Sequence, residues 1–157
     1  MAIVQVSDIL KEEFGLLKDE LIKKYDELGM RASGNWANSI EEVYSPLKAQ
    51  LIGENYSEQL EFGRKAGKQP PSQAIEQWIR DKGLMNRIVG KISISSLAYL
   101  IARKIAREGW KREKFGGVQL ISQVVTAERI QKIIDRVGEY SLSLFQDEIK
   151  LMFEEIV

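Results

Sequence analysis

The chain has 157 residues, a length that fits one domain with a single core, and its 44% hydrophobic and 29% charged residues match a folded globular protein rather than a disordered one. Lys plus Arg and Asp plus Glu both total 23, so no global field draws the protein to nucleic acid or to an anionic membrane, and any electrostatic partner must be met by a local patch. Cys and His are both absent, which excludes disulfides, thiolate nucleophiles, serine-type triads and the usual zinc sites.

The start, "MAIVQVSDILKEEF", has a short apolar stretch without a basic leader, and no run reaches the length of a membrane span, so neither a signal peptide nor a spanning helix is expected. Ser7 to Leu28 reads as an amphipathic helix. Leu10, Phe14, Leu17, Leu21, Tyr25 and Leu28 recur at spacings of three and four, Ser7 or Asp8 supplies a cap, and Gly29 supplies the stop. The β-branched and aromatic residues that follow predict two short strands, Ser39 to Tyr44 and Leu47 to Gly53, turning at Ser45 and Pro46.

"FGRKAGKQPP", residues 62–71, continues neither a helix nor a central strand. Pro71 and Ser72 then open a helix through Lys82, with Ile75, Trp78 and Ile79 on one face and Gly83 at its end. A further helix runs from Ser95 or Ser96 to Glu108, with Leu97, Leu100, Ile101 and Ile105 inward and Gly109 after it. "WKREKFGG" is a polar loop with two aromatic anchors. From Thr126 to about Glu155 the pattern is helical again, with Ile130, Ile134, Val137, Leu144, Phe145, Ile149 and Met152 in a broad stripe. Unbroken, it is a rod of roughly 40 Å, longer than a small core needs, so a second subunit would cover part of its apolar face. Broken at Gly138, it would fold back on itself. The class expected is α+β: an N-terminal helix, a small antiparallel sheet, packing helices and a long C-terminal helical segment, in a single domain over 1–157 with 118–157 as a helical extension.

Two clusters carry cations. Arg64, Lys65 and Lys68 sit among the glycines of the first loop, but Lys68 is followed by Gln69 and two prolines. The Ser or Thr that ends a phosphate loop is missing, so nucleotide binding is not expected. Composition alone favours a surface loop whose glycines supply turns. The second cluster, Arg103, Lys104, Arg107, Lys111, Arg112 and Lys114, lies beside Trp110 and Phe115. Several of its members simply complement the dipole of the helix they end. Jointly the clusters have the makings of a phosphate-tracking patch, and a small nucleic-acid-binding module is the alternative reading. The adjacent acids Glu12 with Glu13, Glu41 with Glu42 and Glu154 with Glu155 read as solvated surface. No catalytic constellation, metal site or cofactor site is found.

The order of the signals adds a resemblance. "SGNWANSI", then "ENYSEQLEFGRKAGKQPPSQAIEQWIRDKG", then "SLAYLIARKIAREG" resembles the tail-completion and neck proteins that join head to tail in tailed bacteriophages. The matching positions are Gly34, Trp36, Ser39 and Ile40; Tyr56, Glu61, Phe62, Gly63 and Arg64; Pro70 and Pro71; Ile75, Trp78, Ile79 and Gly83; and Ile101, Ala102, Arg103 and Gly109. They cover about residues 30–110. The resemblance implies a non-enzymatic virion protein, assembled in the host cytoplasm as a homo-oligomeric ring between the portal or connector and the tail. Under it, Tyr56, Phe62, Arg64, Lys65, Pro70, Pro71, Trp110 and Phe115 become candidate subunit or partner contacts. Lys68, Arg107, Lys111 and Arg112 become candidate contacts along the DNA path.

Overall fold

The structure, a computed structural model, describes residues 2–88, 92–111, 117 and 119–154. The order is α1 (Ala2–Glu27), α2 (Asn35–Ser39), β1 (Glu41–Ser45), β2 (Lys48–Ile52), α3 (Ser57–Phe62), α4 (Ser72–Asp81), α5 (Met85–Ile88), α6 (Ile94–Glu108), α7 (Leu120–Val124) and α8 (Ala127–Glu154). The fold is α+β, with a long helix at each end of the chain and a two-stranded antiparallel sheet.

α1 starts at Ala2 and not at a Ser7 cap, because Val6 precedes Leu10 by four residues and carries the apolar period one turn further back. Gly29, at φ +64°, ends it. α1 lends Leu17, Leu21 and Tyr25 to the interior. The core gathers Leu21, Tyr25, Met30, Trp36, Ala37, Ile40, Leu60 and Leu120, with Trp110, Leu51 and Ile121 packed against it. The Tyr25 and Trp36 rings lie 4.5 Å apart. The Trp36 indole donates to Ser57 Oγ at 2.9 Å, so the polar end of this buried ring is satisfied.

Residues 35–39, part of which reads as strand in sequence, are helical, and the first strand begins only at Glu41. Gly34 at φ +86° turns the chain into α2, whose Trp36 and Ala37 are buried. The hairpin register runs from Glu41 opposite Ile52 to Ser45 opposite Lys48, with Pro46 and Leu47 as the two-residue turn.

α4 packs on α6, and the fully buried Ile79, Ala98 and Ala102 lie on these two helices. The alanines let the helices approach closely, and this geometry turns Leu100 (49% exposed) and Trp78 (36%) outward, against their expected inward placement. Ser93 caps α6 by accepting from the Ser96 amide at 3.2 Å, so the helix begins at Ile94.

α8 is one unbroken helix of 28 residues through Gly138, about 42 Å long. A helical glycine costs about 1 kcal/mol relative to alanine, too little to break a helix whose half before Gly138 is anchored on α1. Arg129 donates to Glu13 at 2.8 Å and to Glu20 at 3.0 Å, while Arg136 donates to Glu13 and to Glu12, each at 2.6 Å. These pairs hold α8 antiparallel to α1. Hydrogen bonds from Arg136, then from Arg129, keep the Glu13 carboxyl below its usual range despite its burial.

Candidate functional site

The two glycine-bearing loops, separate in sequence, are joined through their backbones. The Arg64 amide donates to the Trp110 carbonyl and the Trp110 amide returns a bond to the Arg64 carbonyl, both at 2.6 Å, forming an antiparallel bridge. Gly67 N donates to Ala106 O at 2.8 Å, Gly117 N to Leu60 O at 2.9 Å and Gln119 N to Glu61 O at 3.0 Å. The stretches 63–67 and 106–110 therefore meet, and Gly117 and Gln119 join them at the end of α3.

Gly63 (φ 79°, ψ −167°) and Gly109 (φ 74°, ψ −165°) flank the bridge in matching conformations open essentially only to glycine. A Cβ on Gly63 would lie 2.4 Å from the Trp110 carbonyl oxygen, and one on Gly109 would lie 2.3 Å from the Arg64 carbonyl oxygen. The glycines permit backbone-to-backbone approach rather than phosphate binding. The loop that interrupts the helical pattern is the structural joint between the α3 and α6 ends.

The candidate contacts divide by role. Arg64 is half-buried and its guanidinium donates to the Lys68 carbonyl at 2.7 Å, so it braces its own loop. Arg107, exposed, lies 3.8 Å from Glu108. Lys65, Lys68 and Lys111 are exposed and have no ion-pair partner among the described residues. The bridge brings the cations of the two loops into one neighbourhood, a proximity their separation in sequence hides. Pro70 is half-buried and Pro71 exposed, and Pro71 is the residue before α4. Phe62 is 67% exposed at the end of α3, whereas Trp110 is half-buried against the core. Tyr56 precedes α3 at 38% exposure, and its phenol is shifted up by burial and then by the charge of Glu54. Arg112 and Phe115 lie outside the described residues.

Glu61 has an organising role that sequence reading gave it only as a motif position. It is 4% exposed, and its carboxylate accepts from Ile121 N at 2.6 Å, from Ser122 N at 3.2 Å and from the Ser122 hydroxyl. It thereby satisfies amides at the start of α7 and seats Leu120, which is fully buried. The sixty residues between Glu61 and its partners leave no local signal for this role.

The larger exposed apolar feature is on α8, which has no buried residue. Ile130, Ile134, Leu142, Phe145, Met152 and Phe153 are 44 to 66% exposed. At 100° per residue the six fall within a sector of about 140° on one side of the helix. Val137, Tyr140 and Leu144 are half-buried in the sector that also carries Arg129 and Arg136 toward α1. Among the described residues no group of three or more acidic side chains is placed to hold a metal, and no helix is long and apolar enough to cross a membrane. No family model, curated protein or solved structure matches this chain.

Proposed function

We propose that the chain is a non-enzymatic assembly subunit that works as a homo-oligomeric ring at the head-to-tail junction of a tailed bacteriophage. The observation that carries the assembly part is surface area. The chain exposes 11061 Å², whereas a folded monomer of its 17.9 kDa exposes about 8,000 Å². An excess on the order of 3,000 Å² is what a subunit with more than one face to bury would carry, since a standard interface takes about 800 Å² from each partner. The apolar side of α8 and the protruding Phe62 are where much of that surface is apolar.

The setting comes from the motif order over residues 30–110, in which Gly63, Arg64 and Gly109 are also the residues that form the joined loops. The neighbours in that setting are the portal or connector and the tail proteins. Lys65, Lys68 and Lys111 also favour a second reading, a nucleic-acid-binding module. Fluorescence polarisation with duplex DNA at physiological salt separates the two. The assembly reading expects only non-specific binding, weaker than about 10⁻⁶ M. Tighter binding, lost when the three lysines become Glu, would favour the module.

A further inference from the structure

The zero net charge conceals a division along the chain. Residues 64–114 contain thirteen Lys and Arg against four Asp and Glu, a net of +9, and the remaining residues contain ten against nineteen, a net of −9. The division reaches exposed surfaces. On α6, Ser96, Tyr99, Leu100, Arg103, Lys104 and Arg107 are all exposed and fall within a sector of about 140°. That face is apolar at its start and basic toward its end, where Glu108 at its edge lies 3.8 Å from both Lys104 and Arg107 and leaves a net charge of +2.

α8 has the opposite rim. Arg129 and Arg136 are committed to the glutamates of α1, and in or beside the exposed stripe Glu128, Asp135, Glu139 and Glu148 stand against Lys132 and Lys150. Lys150 lies 3.9 Å from Asp147, which takes up one of the two lysines.

We infer that the acid-rimmed apolar side of α8 in one copy docks on the basic outer face of α6 in the next copy. This rests on the assembly reading above and supplies its interface. The occupant is a second copy for two reasons. The first is area: at about 200 Å² for a fully accessible large side chain, the half-exposed stripe offers on the order of 700 Å², close to the roughly 800 Å² per partner of a stable interface. The second is charge, because the complement of an acidic rim is present on the same chain. Pairing α8 with itself would set like charges face to face. A head-to-tail contact between two different faces leaves the pair with one free face of each kind, so further copies add until the rotation between neighbours closes a ring.

The absence of Cys makes the contact directly testable in the full chain. Leu100→Cys and Phe145→Cys replace exposed side chains, and circular dichroism establishes that each variant folds. The two are mixed at equal concentration, about 100 μM, with a short bismaleimide. The expected product is the mixed dimer, with a yield that falls about fivefold between 50 mM and 500 mM salt as screening tightens. Arg103→Glu with Lys104→Glu in the Phe145→Cys partner leaves that yield intact, because this partner contributes its α8. The same pair in the Leu100→Cys partner abolishes it.

Cross-linking of Phe145→Cys with itself in preference to the mixture would show α8 self-pairing and overturn the inference, as would no cross-link in any combination. If the chain occupies the neck of the particle but the mixed dimer does not form, this interface fails and the function stands. If the mixed dimer forms and the chain is absent from particles, the function fails and the interface stands.

Discussion

Replacing Gly109 by Ala tests the joint between the two loops. The new Cβ would stand 2.3 Å from Arg64 O, 2.9 Å from Ala66 N and 2.9 Å from Lys65 C, all backbone atoms that no side-chain rotation can move aside. Its φ of 74° with ψ of −165° adds about 1–3 kcal/mol for any residue with a Cβ. Relief by separation breaks both bonds of the Arg64–Trp110 bridge, at about 1 kcal/mol each. The total is about 3–5 kcal/mol, a large share of the roughly 5–15 kcal/mol that holds a domain together. For a chain of this length that corresponds to a melting temperature about 10 °C lower, read by circular dichroism at 222 nm. Gly138→Ala is the internal comparison: its Cβ meets nothing within 4 Å and its site is mid-helix, so the same substitution should raise stability by about 1 kcal/mol. A Gly109→Ala protein melting within about 2 °C of the parent would refute the bridge as a tight backbone contact.

Glu61→Ala leaves the Ile121 and Ser122 amides without their acceptor and should cost about 2–4 kcal/mol in urea denaturation; a loss under about 0.5 kcal/mol would show that α7 is held without this cap. Glu13 makes the α1–α8 contact pH-dependent. Its folded-state pKa is depressed below the unfolded value of about 4.3, so its contribution is fully present above that value and is lost as pH falls through the folded one. Stability measured at pH 7 and pH 3 should therefore fall more in the parent than in Glu13→Gln, and equal losses would contradict the assignment. Trp36→Phe deletes the donor to Ser57 and should lower stability by about 1–2 kcal/mol by the same denaturation assay, with no change meaning that the buried indole bond is not made.

The helices that could be read from sequence are those with a local period and a local stop. α1, α4 and α6 each bury one face and end at Gly29, Gly83 and Gly109, all at positive φ. The short helices were hidden because their cause is distant. α2 depends on Trp36 packing against Tyr25, and α7 depends on the Glu61 carboxylate sixty residues earlier. Periodicity also names an apolar face without saying how far a partner helix will approach. Ala98 and Ala102 decided that on α6 and left Leu100 outside. The loop residues were recognisable as a group by their glycines and cations. That 63–67 and 106–110 form one bridged unit is a pairing between distant strands of backbone, which one-dimensional spacing does not encode.

Localising the chain in an intact particle tests the proposed function most directly. Cryo-electron microscopy of the purified phage, with density resolved well enough to trace the α1–α8 pair and the joined loops, is the measurement. The account predicts a ring of copies of this chain between portal and tail, with α8 of each copy against α6 of its neighbour. A chain located outside the neck and tail, or missing from purified virions by mass spectrometry, would contradict it.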